Sequence, residues 1–263
     1  MKKAQLLFLL LVLPLVTWAQ SSINASDIIA KINRGEAVSY KNATIVGDLD
    51  LTQLQNMKVV NKPDNRYSTT EYLSTVTVPL TFENCTFRGD VLAYFNPDME
   101  GVKVLGKNKK NEVYNTNFEK AVRFENCEFE GASAFKYSRF KENASFAGSG
   151  FKNEANFKYS KFSGDADFSD TRYGKEANFK YTDLPRLASF KGAIFNREAN
   201  FKYTKFGREA DFRQANFRGL ANFKYTKVSD RMNLEKATFE GGDDFKYTQV
   251  NNRITSRAKL VSN

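Results

Sequence analysis

The sequence predicts an all-β solenoid with four-sided turns, and three observations lead there. The tripeptide Phe-Lys-Tyr returns at residues 135, 157, 179, 201, 223 and 245, always 22 residues apart. A fixed period of that size marks a chain that stacks one turn on the next. Between these landmarks the large apolar residues fall at alternating gaps of five and six, from Phe118 through Phe124, Phe129, Phe135 and Phe140 to Phe239, Phe245 and Val250. Neither the helical period of about 3.6 nor the strand period of about 2 fits this spacing, whereas four near-equal sides per turn do. Two residues before nearly every large apolar residue sits a small one: Ala144, Ala155, Ala166 and Ala177 on some sides, Ser138, Ser160, Thr182 and Thr204 on others. Residues two apart in an extended segment point the same way. Each side therefore sends one large and one small side chain inward, and stacked rings fill a narrow square tube.

Along the chain, residues 1–20 read as a secretory signal. Lys2 and Lys3 make a charged start, Leu6 to Val16 an apolar run broken by Pro14, and Thr17-Trp18-Ala19 a small-x-small cleavage site. The run is too short for a comfortable membrane span. Residues 21–37 are expected to hold a capping helix, begun by Ser26, ended by Gly35 and apolar along Ile28, Ile29 and Ile32. Such a cap covers the open strand edge at a solenoid end. Residues 38–112 are expected to form irregular first turns, with Tyr40, Ile45 and Leu51 in one and Val76, Phe82, Phe87 and Ala93 in the next. Two polar, basic segments, about 52–74 and 94–112, interrupt the rhythm and are expected to leave the tube as loops. Residues 113–250 carry the regular repeat, and 251–263 a tail or C-terminal cap. About eight turns, each rising about 4.8 Å, make a rod roughly 40 Å long.

Units such as Ala155-Asn156-Phe157-Lys158-Tyr159, Ala166-Asp167-Phe168 and Ala210-Asp211-Phe212 resemble the pentapeptide-repeat family, whose unit reads roughly Ala-Asp/Asn-Leu/Phe-x-x. The resemblance implies a right-handed quadrilateral β-helix and covers about half the chain, from Val113 to Val250. The 5+6+5+6 turn departs from the family's four fives. Its extra residue is expected to bulge at alternate corners, near Asp165 and Glu176.

The formal charge is +10, and loss of Lys2 and Lys3 with the signal leaves +8. Some pentapeptide-repeat proteins are DNA mimics that bind type II topoisomerases. A mimic must present negative charge to a DNA-binding surface, so that role does not carry over to a positive, exported rod. Binding nucleic acid directly fits the charge, with bases stacking on tyrosines, but the expected compartment argues against it. Histidine is absent, which removes the commonest acid–base group and the Cys/His metal sites. No carboxylate pair stands out, and a filled tube has no interior pocket. The expectation is a non-enzymatic protein without cofactor or metal. A catalytic or regulatory role in the two interrupting segments is the outlying alternative.

The candidate binding face is the repeated Lys-Tyr pair: Lys136, Lys158, Lys180, Lys202, Lys224 and Lys246, followed by Tyr137, Tyr159, Tyr181, Tyr203, Tyr225 and Tyr247. Both are expected to point outward in parallel columns. Three explanations stand: recent tandem duplication, mutual stacking with cation–π support, and a platform for an anionic partner such as an envelope glycan or acidic protein. Glu154, Glu176, Glu198 and Glu209 are expected in corner ion pairs, and Asn156, Asn178, Asn200 and Asn222 in an amide ladder. Cys85 and Cys127 occupy small inward positions in matching phrases and are expected to be free buried thiols. A disulfide would need adjacent turns on one side, and the interruption between them hides their sides.

Overall fold

A computed structural model describes residues 21–62, 69–97 and 112–261. The secretory segment and parts of both interrupting segments lie outside the described residues. The expected four-sided stack is present. Four parallel sheets form the walls of a tube, and the chain visits them in a constant order. Wall 1 runs from Val38–Lys41 to Arg231–Asn233 and wall 2 from Ser21–Asn24 to Thr238–Phe239. Wall 3 runs from Leu49–Asp50 to Asp243–Asp244. Wall 4 includes Thr70–Val76, Glu112–Phe118 and Arg139–Phe140, and continues to Gln249–Val250. Pairing is in register at one turn, as in Phe129↔Phe151 and Ala155↔Ala177.

The large residues form one inward column per wall, ring above ring. On wall 3, Phe157, Phe179 and Phe201 stack at 5.0 and 5.2 Å with planes within 10°. On wall 1, Phe168 and Phe190 stack at 5.0 Å. The two columns meet edge to face across the axis, as for Phe168 and Phe179 at 5.0 Å and 81°. Offset stacking along the rod and edge-to-face contact across it are the favourable geometries of aromatic pairs. A square tube provides both at once.

The corners alternate in kind. The five-residue gaps carry a turn in which the residue two after each large residue has positive φ. The six-residue gaps bend at 163–164 and 174–175, beside Asp165 and Glu176. Small inward hydroxyls tie successive turns together. Ser160, Thr182, Thr204 and Thr226 each donate to the carbonyl of Phe135, Phe157, Phe179 and Phe201, 25 residues earlier, at 2.6–2.8 Å.

Two expectations need correction. The helix α1 is Ala25–Asn33, preceded by the strand Ser21–Asn24, which pairs with Ala43–Val46 at the base of wall 2. That strand delivers the chain to the helix early, so Asn24 holds the N-cap position and Ser26 lies inside the helix. Ile28 and Ile32 are buried on the core and Ile29 only partly; Gly35, at φ +74°, ends the helix. The interrupting segments are also not simple loops. Lys58–Asn61 folds back antiparallel on Thr70–Val76, and Tyr94–Phe95 on Glu112–Phe118. The seven-residue strands Thr70–Val76 and Glu112–Phe118 pair in parallel along their whole length, with Tyr72 stacked on Tyr114 at 4.7 Å. The excursions therefore lie side by side at one corner, between walls 3 and 4. Both have the same length: Tyr40 pairs with Phe82 and Phe82 with Phe124, intervals of 42 residues, or one 22-residue turn and a further 20. The last stretch is a cap rather than a frayed tail. Arg253–Ile254 turns back on Gln249–Val250, and the short helix α2, Arg257–Val261, follows. Arg257 lies over the ring of Phe239 and pairs with Asp243 at 2.6 Å, which gives that inward carboxylate its partner.

The register also assigns the cysteines. Asn84 N–H donates to Glu125 O, and Glu128 N–H donates to Cys85 O, both at 2.9 Å. Cys85 and Cys127 thus share one station of adjacent turns, both buried and both free. The next turns place Ser149 and Thr171 there. Hydrogen bonding to Cys85 and burial push the Cys127 thiol up, as befits a small buried filler.

Candidate functional site

The six Phe-Lys-Tyr units bring all twelve named residues to one corner, between walls 3 and 4. Each unit closes a tight turn in which the residue after Tyr donates its N–H to the Phe carbonyl at 2.9–3.2 Å. Lys sits at the second turn position, and Tyr at the third has φ +60 to +62° in every case. This is a type II turn, whose third position ordinarily takes Gly or Asn. A bulky residue held there costs about 1–3 kcal/mol. The equivalent corner between walls 1 and 2 follows that preference in most turns, with Asn42, Asn84, Asn126, Gly148, Asp170 and Gly192, and departs from it at Gln214 and Lys236. The turn itself therefore does not demand tyrosine.

Stacking supplies the compensation. The rings of Tyr137, Tyr159, Tyr181, Tyr203, Tyr225 and Tyr247 lie 4.7–4.9 Å apart, with planes within 4° for all but the last pair. Each lysine Nζ lies 5.0–5.7 Å from the ring of its own tyrosine. Aromatic pairs contribute about 0.5–1.5 kcal/mol and exposed cation–π contacts about 0.5–1 kcal/mol. The sum is close to the backbone strain, so the column is tolerated rather than strongly stabilising. The lysine stems are half-buried along the rings, save at exposed Lys246. The stacked rings cover each other's faces and present only edges and hydroxyls to solvent. A base or sugar ring has no open aromatic face to stack on except at the ends of the column.

A second row of cations runs beside the first. Outward on wall 4, in register, stand Asn117, Arg139, Lys161, Asp183, Lys205, Lys227 and Gln249. The tyrosine column is thus flanked on both sides by positive charge, with Asp183 the single acid in the second row. Their shared side is legible in the sequence as a 22-residue interval.

The carboxylates depart from the expected corner ion pairs only in part. Glu209 pairs with Arg231. Glu176 and Glu198 are held instead by the amides of Asn200 and Asn222, one turn on, at 3.5 and 3.2 Å. The Asn156, Asn178, Asn200 and Asn222 carbonyls accept the backbone N–H of the lysine two residues later, at 3.1–3.3 Å. These local bonds replace the amide ladder, because a short Asn side chain closes a turn on its own backbone readily. Burial, and then the charges of Glu154 and Glu198, push the Glu176 carboxyl up.

Where the excursions meet the tyrosine column, the outer face of wall 4 holds a groove of about 560 Å³. Its lining includes Glu71, Asn115, Asn117, Arg139 and Lys161, with the edges of Tyr137, Tyr159 and Tyr181 along one side. Sequence reasoning missed Glu71 and Asn115, which lie in or beside the interrupting segments. Among the described residues, no cluster of His, Cys, Asp or Glu could hold a metal ion, and no helix is long and apolar enough to cross a membrane.

A four-walled tube of stacked 22-residue turns, with its repeated residues displayed at one corner, defines a repeat solenoid. The family pattern described as "Pentapeptide repeats (9 copies)" matches residues 114–161, 157–205 and 201–249. These matches span just over half the chain, and the chain belongs to the pentapeptide-repeat family. No curated protein and no solved structure matches it.

Proposed function

We propose that this protein is an exported, non-enzymatic interaction rod that binds an anionic partner of the bacterial cell envelope through its Lys-Tyr corner and the cations beside it. The observation that carries this reading is the tyrosine column. All six turns keep a residue that the local backbone disfavours, at a corner whose counterpart is mostly Asn, Asp or Gly. Strain held in place by its surroundings is a pointer to use. The lysine row and the wall 4 row give the same corner a positive field, which attracts polyanions and accelerates their encounter. Export rests on the charged, apolar and small-residue order of residues 1–20. Absence of histidine and a core filled with rings support a role without catalysis, cofactor or metal.

The test is a pull-down of acidic envelope glycans and acidic proteins by the chain from residue 21 onward. Replacing the six column lysines with serine is expected to abolish capture, and capture that survives the change refutes the reading. Retention of nucleic acid in a gel shift at physiological salt, without glycan capture, would transfer the corner to a different partner. Fusion of residues 1–25 to a reporter active only outside the cytosol tests export.

A further inference from the structure

We propose that the groove at the start of wall 4 is a binding site for a short acidic oligosaccharide, two or three sugar units carrying carboxylates. The proposal rests on the reading above, that the rod binds envelope anions, and assigns them a specific seat.

Two demands of the groove define its ligand. The first is for negative charge. Arg139 and Lys161 stand next to each other on its floor, paired in register one turn apart. Asp183 follows them in the row and ends the run of cations. The second demand is for hydrogen-bond donors. Asn115 is 3% exposed and lines the groove. Its amide nitrogen donates to Glu71 Oε1 at 2.6 Å, while its Oδ1 is buried without a partner. An unpartnered buried acceptor is costly and rare in a finished structure. Glu71, lining the same groove, keeps further acceptor capacity. A ligand that satisfies both demands carries anionic groups and O–H or N–H donors together. Sulfate has no donor, and inorganic phosphate, with one or two O–H groups, offers a single anionic centre for two cations.

The supply of donors separates the two ligands that have both. The side chains of an acidic peptide are acceptors only, and its donors are backbone N–H groups spaced along the chain. A uronic acid unit carries a carboxylate and free hydroxyl donors on the same ring, so one unit can meet a cation and an acceptor together. Its hydroxyls reach Asn115 Oδ1 and Glu71. The edges of Tyr137 and Tyr159, hydroxyls outward, form the groove side against the sugar rim. The walls of stacked rings fix this geometry before binding, so little ordering entropy is lost.

The test uses the chain from residue 21 onward and trigalacturonate as probe, read by titration calorimetry. Binding is expected, with a neutral glucose trimer and a triglutamate peptide binding at least tenfold more weakly. Arg139→Gln and Lys161→Gln, both exposed and outside the core, are each expected to weaken trigalacturonate at least tenfold. Asn115→Leu is expected to do the same with little change in melting temperature, because removal of the orphaned acceptor offsets loss of the hydrogen bond to Glu71. Equal affinity for the neutral trimer, or affinity unchanged in both cation variants, overturns the groove assignment. If trigalacturonate then still depends on the column lysines Lys202, Lys224 and Lys246, the wider reading of an anion-binding rod survives without the groove. If neither set of changes alters binding, both readings fall.

Discussion

Single residues in this molecule are judged by whether they suit a repeating station. Tyr173 stands in the inward column of wall 2, between Phe151 and Phe195 at 5.2 and 4.9 Å. It is fully buried, and its hydroxyl makes no hydrogen bond of good geometry, with the Thr171 side chain only a weak polar neighbour. Burial pushes its phenol far up. An unsatisfied buried hydroxyl costs about 1–3 kcal/mol, so Tyr173→Phe is expected to stabilise the rod. In a domain of this size each kcal/mol raises the melting temperature by about 2–4 °C; a melting temperature that falls would show that the hydroxyl is satisfied. Asp211 is the opposite case. Burial pushes its carboxyl up, but the Arg213 hydrogen bonds and charge outweigh this and hold it below the ordinary carboxylate value. A depressed folded pKa contributes stability that is present above the unfolded pKa and is lost as pH falls through the folded pKa. Arg213 is 41% exposed at its side chain, so screening reduces the pair's worth. Arg213→Ala is expected to destabilise the rod at pH 7, and to do so less as Asp211 becomes protonated. Urea melts from pH 7 to pH 3 report both effects; a constant difference across that range would mean that Arg213 acts by packing alone.

At the scale of the element, the turn at the Lys-Tyr corner separates structure from use. Tyr181→Asn places a residue that tolerates positive φ at the third turn position and removes one ring from the stack. Relief of about 1–3 kcal/mol of strain offsets the lost stacking, so stability is expected to change by less than about 1 kcal/mol. A loss well beyond that would make the column a structural requirement. These turns also explain what was legible in the sequence. The inward columns were readable because one large residue per side is the minimum a filled square tube needs, and Phe118 to Val250 never miss a step. The excursions were not readable in the same way. Lys58–Asn61, Thr70–Val76 and Glu112–Phe118 mix exposed, half-buried and buried positions, because each lies partly outside the tube and answers to a neighbouring strand instead of the core. Their equal lengths were nevertheless written in the 42-residue intervals from Tyr40 to Phe82 and from Phe82 to Phe124. The groove was illegible for the same reason: Glu71 belongs to no 22-residue column, Asn115 stands one step before Tyr137 but lacks the Phe-Lys-Tyr signature, and only the pairing of the two long strands brings them together.

For the molecule as a whole, contacts are made almost entirely with the turn above and the turn below, so stability is close to a sum over neighbours. Removing residues 180–201 joins Phe179 to Lys202 and leaves every later residue at an equivalent station. The shortened protein is expected to fold with its strand content per residue unchanged and a lower melting temperature. Loss of cooperative unfolding in that variant would show that one turn acts as an irreplaceable nucleus. Both ends are closed, by α1 over Ile28 and Ile32 at one and by Arg257 on Phe239 at the other, and such covers are what a stack with open strand edges requires.

Equal step height along the Lys-Tyr corner has a further consequence. The surface is a ruler, graduated once per turn, and its reading is the number of rungs a guest can grip at the same time. Evolution lengthens or shortens such a scale by whole 22-residue increments, so grip on a long polymer changes in discrete multiplicative jumps. A guest shorter than the scale slides along identical marks, and one of matching length finds a single best berth.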